Sequence, residues 1–266
     1  MKSHLVIAAI GALLTIYLVK FHSPASYTED QWDSEFMNFV SEFRKSYGSQ
    51  EDFVARREIF KQNYLQNIKH NNEGDQSYKL GVNQFSDLTE QEFKKILGLR
   101  IPNRRTITID NSLSKVGDTI VDWRNDKVVA GVKDQSSCGS CWAFSAVGAL
   151  ESAYALKGNA LTTFSEQQLV DCSWGFGNEG CNGGWMDQAF NYLKGKDICK
   201  TDDFRAYNAR DNNACDESKC SSGIRVVGIS GVPAGNADAL DAALSHGPVS
   251  VAVDASNWSQ YRGGVF

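Results

Sequence analysis

Seven cysteines constrain this 266-residue chain more than any other feature, because all of them lie in its second half. They are Cys138, Cys141, Cys172, Cys181, Cys199, Cys215 and Cys220. Dense cysteines suit an oxidising compartment, where disulfides persist. The start of the chain points the same way. Lys2 precedes an apolar run from Leu5 to Val19, Lys20 ends it, and Ser23-Pro24-Ala25 provides the small residues of a cleavage site. That is a secretory signal layout over residues 1–25. The run is short for a membrane span of about 20 residues. No later stretch is longer, so stable membrane insertion is not expected. An odd cysteine count leaves one thiol over, either reactive or bonded to another chain. Seven divides naturally into three bridges and one free thiol.

The composition is 42% hydrophobic and 22% charged, which is ordinary for a globular chain and argues against wholesale disorder. The formal net charge is -5 and there is no basic block, so nucleic acid is not expected as a partner. From about Thr28 to Leu97 the pattern is helical. Trp32, Phe36, Phe39, Val40 and Phe43 fall on one helix face, and Phe53, Phe60, Tyr64 and Ile68 on another. Thr89 and Glu92 form a capping box, with Leu88 and Phe93 placed as a hydrophobic staple, and Gly98 is expected to end that helix. Residues 99–119 are polar, without helical period, and are expected to be an extended linker.

Beyond Val121, helices are expected over 141–156, behind Ser165 as far as Asp171, over 185–194 and over 237–245. The first should carry Phe144, Val147, Leu150 and Tyr154 inward and stop at Gly158. Ser165 should share a capping box with Gln168. Val249 to Val253 alternates as a strand.

The chemistry concentrates in Gln135-Ser136-Ser137-Cys138-Gly139-Ser140-Cys141-Trp142. Only a thiolate attacks a carbonyl, and a thiol of pKa near 8.5 is mostly protonated at neutral pH. A helix start at Cys141 would favour the anion through the positive end of the helix dipole. A neighbouring imidazolium would lower the pKa further and protonate the leaving amine. The tetrahedral intermediate needs donors aimed at its oxyanion. The Gln135 side-chain amide and the Cys141 backbone N–H are the candidates. A generic Cys-x-x-Cys also fits a redox pair or half a zinc site. The first needs a parallel strand-helix-strand setting and the second needs another close ligand pair. Neither is visible, so no metal site and no cofactor is expected.

Cys138-Gly139-Ser140-Cys141-Trp142 matches the signature of the papain/cathepsin cysteine proteases. Val121-Asp122-Trp123-Arg124, Ser165-Glu166-Gln167-Gln168-Leu169-Val170-Asp171-Cys172, Cys181-Asn182-Gly183-Gly184, Gly247-Pro248-Val249-Ser250-Val251 and Tyr261-Arg262-Gly263-Gly264-Val265-Phe266 resemble further segments of that family. Gly81, Asn83, Phe85 and Asp87 fit the second motif of its inhibitory propeptide. Asp52, Arg56, Phe60, Asn63 and Asn71 fit the first, with Asp52 in place of Glu and Asn67 where Ile is usual. Ile68 is expected to fill that slot through a local shift.

The resemblance implies an α+β, papain-like two-domain fold preceded by a helical inhibitory prodomain. The helical left domain is complete and the β-rich right domain is truncated. The implied boundaries are 26–98 for the propeptide, 99–117 for a linker with the activation cut near Lys115 to Thr119, and 118–266 for the peptidase. It implies a thiol endopeptidase with Cys141 as nucleophile and Gln135 in the oxyanion hole. The implied bridges are Cys138–Cys181, Cys172–Cys215 and Cys199–Cys220. Gly183 and Gly184 would bind the substrate main chain, since no side chain blocks an extended peptide there. Trp185, Met186 and Ala252 would border an apolar specificity pocket. The implied partners are peptide and protein substrates, the chain's own propeptide as an intramolecular inhibitor, and cystatin-type inhibitors. The implied location is the secretory pathway, ending in an acidic vesicle or lysosome or outside the cell. Protonation of Asp87 is expected to loosen the inhibitor in acid.

The family's catalytic histidine follows the Tyr-Arg-Gly-Gly segment, and its orienting asparagine lies further on. This sequence stops at Phe266, and its histidines are His4, His22, His70 and His246. The 266 residues alone are therefore expected to turn over no substrate. The competing reading is a truncated non-catalytic binder or a propeptide-type protease inhibitor. A stop codon directly after Phe266 would favour it.

Overall fold

The computed structural model describes residues 27–102, 107–114, 121–212 and 214–266. The signal-like run and the stretch from Lys115 to Thr119 lie outside the described residues. The chain forms two compact units, Met1–Asp87 with Arg262–Phe266, and Leu88–Tyr261. No helix among the described residues is long and apolar enough to cross a membrane.

In the first unit, α1 (Glu29–Glu42) starts at Thr28, whose hydroxyl accepts from Gln31 N while the Gln31 side chain bonds back to Thr28 N. Ser49 caps α2 (Gln50–Asn72). Phe36 and Phe39 of α1 close on Phe60 of α2, with Val40, Phe43, Phe53 and Tyr64 packed around them. The propeptide-like motifs interlock through polar contacts. The Arg56 guanidinium donates to Asp87 O at 3.0 Å and the Asn63 amide to Ser86 O at 2.9 Å. Asn71 donates to Leu80 O and accepts from Leu80 N. The buried Asp87 carboxylate pairs with Lys45 Nζ at 2.8 Å and accepts from Tyr47 Oη at 3.0 Å. Asn83 Oδ1 accepts from Phe85 N, and a Cβ on Gly81 would press on the Arg262 side chain. The local shift expected at Ile68 does not occur. Asn67 itself is buried and Ile68 half-exposed, because an unbroken α-helix keeps Phe60, Asn63, Asn67 and Asn71 on one stripe. Strand β1 (Tyr78–Leu80) pairs with the terminal strand of the chain.

The second unit opens with α3 (Glu90–Ile96), held by the reciprocal Thr89–Glu92 box. Gly98 does not end it. Leu97 is the cap, and Gly98 makes a close backbone approach to Gly139. The core forms around α4 (Cys141–Leu156), α5 (Glu166–Cys172) and α6 (Met186–Gly195), through Trp142, Ala146, Val147, Leu169, Ala189 and Leu193. Helix α4 is more enclosed than one apolar stripe implies. Val147 is buried, but Phe144, Leu150 and Tyr154 are only half-buried, while Ala143, Glu151 and Ser152 are inside. Gly158 takes φ +86° just past its end, a left-handed conformation that glycine adopts without strain. Ser165 Oγ accepts from Gln168 N, but the return half of that capping box is not made. The Gln168 side chain reaches into the core instead, donating to Tyr192 Oη and Asp197 O and accepting from Cys199 N.

Strands β2 (Asp197–Ile198) and β3 (Ile224–Arg225) pair antiparallel, with Ile198 opposite Ile224. Helix α7 (Ala237–Leu244) starts at Asn236. The strand expected over Val249–Val253 does not form. Its alternation is right, but a strand needs ladder partners, and none pairs with it among the described residues. Val251 and Val253 are exposed. The last strand, β4 (Tyr261–Gly264), is the partner of β1.

A buried charge cluster fixes the loop that leads to α4. Lys133 Nζ lies 2.6 Å from Glu151 Oε1 of α4 and 2.5 Å from Glu166 Oε1 of α5. Burial pushes the Glu166 carboxyl above the usual carboxylate range, with Lys133 pulling the other way. Removing the ammonium would leave two enclosed carboxylates facing each other. Lys133→Met should therefore cost about 3 kcal/mol or more, read as a lower urea midpoint by tryptophan fluorescence.

Candidate active site

Cys141 is the first residue of α4, and its thiol is the one cysteine sulfur outside a disulfide. The other six join as Cys138–Cys181, Cys172–Cys215 and Cys199–Cys220. The first bridge stands three residues ahead of the thiol and brings Cys181 to the same loop, where Gly139 N donates to Cys181 O at 3.0 Å. Trp142, fully buried, donates from Nε1 to Gly180 O at 3.2 Å. These contacts hold the Gly183-Gly184 segment beside the start of α4. A Cβ on Gly184 would collide with Asn178 Oδ1 and the Trp142 ring, and Gly183 takes φ +119°. Both glycines are needed for the backbone to pass here.

Gln135 lies in the same loop. Its Nε2 donates to Cys138 O at 2.8 Å and to Ile96 O at 3.0 Å, so the amide already holds the carbonyl at the end of α3, where the covering segment begins. That segment continues across the site. Gly98 is buried against Gly139, where a Cβ would overlap the Gly139 carbonyl. Gly184 N donates to Gly98 O at 2.9 Å, Arg100 N donates to Gly184 O at 3.0 Å, and Leu99 pairs with Gly184 in parallel. Arg100 Nε donates to Asn182 O at 2.6 Å, and its guanidinium lies 2.7 Å from Glu179 Oε2. The described parts of the expected linker are thus held by backbone pairing. Thr108 and Asp110 repeat the pattern on Gly231, which donates to Thr108 O and accepts from Asp110 N. Trp185, Met186 and Ala252 line one cavity of about 570 Å³ with Leu150, Phe190 and Val251. Trp185 and Met186 are buried, whereas Ala252 is exposed.

Residues 118–266 match the description "Papain family cysteine protease" and residues 36–93 match "Cathepsin propeptide inhibitor domain". This chain belongs to the papain family of cysteine proteases. It is 36% identical to cathepsin L of Sarcophaga peregrina, over 97% of this chain and 79% of that protein. It is 37% identical to a cathepsin L-like peptidase of Aedes aegypti, over 95% of this chain and 75% of that protein. Among solved structures it resembles digestive procathepsin L 3 of the Tenebrio molitor larval midgut, with TM-score 0.77 and 34% identity over 88% of this chain and 78% of that one. The recombinant stem bromelain precursor gives TM-score 0.77 and 31% identity, over 89% and 77% of the two chains. The chain is a cathepsin L-like precursor carrying its inhibitory propeptide.

In this papain-family precursor the thiol is not in the state that its place on the helix suggested. Burial is the largest influence on Cys141 and pushes its pKa up, against backbone hydrogen bonds from Gly98, Trp142 and Cys141 that act to lower it. A desolvated sulfur favours the neutral form. Neither described histidine bonds to it. His70 packs on Tyr78, and His246 closes the turn after α7. Sequence reading missed Gly98, Leu99, Arg100 and Glu179, because pairing across 82 residues leaves no local signal.

Iodoacetamide labelling of Cys141 in the precursor should therefore inflect at a pH above the ordinary thiol range. Gly98→Ala cannot keep the approach to Gly139. An overpacking penalty of about 1–3 kcal/mol at that contact should open the segment and speed labelling at pH 7 on the order of tenfold, measured by mass spectrometry.

Proposed function

We propose that Cys141 is the nucleophile and Gln135 an oxyanion donor of a secreted or lysosomal endopeptidase that this chain keeps latent. Residues 1–25 direct secretion, 26–98 form the inhibitor, 99–117 carry the activation cut, and 118–266 belong to the peptidase. The carrying observation is the bond from Gln135 Nε2 to Ile96 O, a peptide carbonyl held by the amide that the chemistry would use.

After activation, a substrate carbonyl takes the place of that propeptide carbonyl. Cys141 Sγ forms a bond to its carbon, and the oxygen gathers negative charge between Gln135 Nε2 and the Cys141 N–H. The tetrahedral intermediate collapses to a thioester as the protonated amine leaves. Water then releases the acid and restores the thiol. By family likeness a histidine takes the thiol proton and passes it to the amine. Gly183 and Gly184 would hold the substrate backbone, and the apolar cavity beside Trp185, Met186 and Ala252 would take an apolar side chain two residues before the scissile bond. Cystatin-type inhibitors would compete for the same wall. The signal layout and the three disulfides support a secretory route.

The test is hydrolysis of an apolar-arginine dipeptide substrate by the matured full-length protein, with block by an epoxide thiol inhibitor. Cys141→Ser should remove turnover by several orders of magnitude, and a Cys141→Ser enzyme that still cleaves would sink the reading. The exposed Arg100–Glu179 pair has a smaller role. A surface ion pair is worth at most about 1 kcal/mol and the bond to Asn182 O about as much again, so Arg100→Ala should weaken inhibition by the free propeptide on the order of tenfold, read as Ki.

A further inference from the structure

Tyr207 lies 72 residues from Gln135 and 67 from Ser140 in sequence, yet its phenol joins both. Tyr207 Oη donates to Gln135 O at 2.8 Å. Ser140 Oγ lies 2.6 Å from the same phenol oxygen. A phenol has one proton, and a backbone carbonyl can only accept. The Tyr207 proton therefore goes to Gln135, and the Ser140 hydroxyl donates to Tyr207. Ser140 is fully buried and precedes the nucleophile. As N-cap of α4 it makes no side-chain cap bond, because its hydroxyl is directed to the tyrosine. The ring stacks edge-on against Phe144, one turn into α4, with centroids 4.9 Å apart.

The loop from Gln135 to Ser140 needs this support. Ser136 sits at φ +52°, a left-handed conformation that a serine holds only when its surroundings fix it. The Cys138–Cys181 bridge pins the middle of the loop, and Asp134 Oδ1 accepts from Ser136 N. At Gln135 itself, the backbone carbonyl is held by Tyr207 and by a longer 3.4 Å bond from Cys138 N. Burial pushes the phenol pKa up to about 12, so the proton stays in place at any pH where a protease works.

We infer that Tyr207 is a positioning residue for the oxyanion hole, tying the backbone of Gln135 to the residue before Cys141 so that amide and sulfur keep a fixed spacing. Tyr207 touches neither substrate nor reacting atoms and acts only through Gln135 and Ser140. The inference rests on the reading of Gln135 as oxyanion donor.

Tyr207→Phe keeps the ring on Phe144 and deletes the hydroxyl. In the matured full-length protease, kcat should fall on the order of tenfold with KM within about twofold, less than the roughly hundredfold loss typical of deleting an oxyanion donor. Alkylation of Cys141 by iodoacetamide, which uses no oxyanion hole, should be unchanged. In the precursor, the Gln135 side-chain amide resonance should move. The double variant with Gln135→Ala should fall no further than Gln135→Ala alone, since the two residues act as one unit. Unchanged kcat in Tyr207→Phe, or turnover and alkylation falling together, would overturn the inference. A harmless Gln135→Ala would instead overturn the oxyanion reading beneath it. Should Tyr207→Phe fail to fold, Ser140→Ala decides. It should lower kcat several-fold with normal alkylation, and an unchanged kcat would refute the tie.

Discussion

The bond between Cys138 and Cys181 joins two stretches that do different work, and the site depends on that junction. One stretch runs from Gln135 to the start of α4 and presents an amide and a sulfur. The other runs through Gly183-Gly184 and presents open backbone. A disulfide closing a loop of this length contributes about 4 kcal/mol in the chain-entropy picture. Its larger consequence is geometric. With Gly139 N bonded to Cys181 O, the backbones of the loop ahead of Cys141 and of the Gly183-Gly184 segment cannot slide past each other. The indole of Trp142 on Gly180 makes the same connection one residue beyond Cys141.

Latency follows from the same geometry. A surface shaped to accept an extended backbone at Gly184 accepts the chain's own Gly98–Arg100 segment equally well, through two backbone bonds. The glycine at 98 permits an approach to Gly139 that any side chain would prevent. The sulfur itself is partly buried at the helix start. Desolvation then outweighs the hydrogen bonds at the helix start, and the thiol is held neutral rather than anionic. The segment therefore occupies the backbone of Gly184, while burial favours the neutral thiol. In the other unit, the Asp87 carboxylate collects Lys45 and Tyr47 beside an aromatic core of Phe36, Phe39 and Phe60. Neighbouring backbone carbonyls take Arg56 and Asn63, which explains why polar residues share the helix face that carries Phe60.

Where sequence reading was accurate, short-range rules governed. Thr89 and Ser165 accept from the N–H three residues on, since a cap involves only neighbours in sequence. Where it went astray, distant partners had outbid local ones. Gln168 gave up its reciprocal cap for Tyr192, Asp197 and Cys199. Gly98 reads as a helix stop and serves as a contact surface. Val249–Val253 has the alternation of a strand, but alternation cannot supply a neighbour to bond with.

By itself the sequence determined the chemistry on offer: one odd thiol at a helix start, an amide six residues before it, a glycine pair, and two amphipathic helices ahead of them. Those are properties of residue type and spacing, carried by the chain before it folds. Only the tertiary structure decided what these groups do in the precursor. It set Ile96 O on Gln135, Gly98 on Gly139 and the Tyr207 phenol between Gln135 and Ser140. Each contact spans about 40 to 70 residues, and its strength comes from burial and exact approach, which no local pattern encodes.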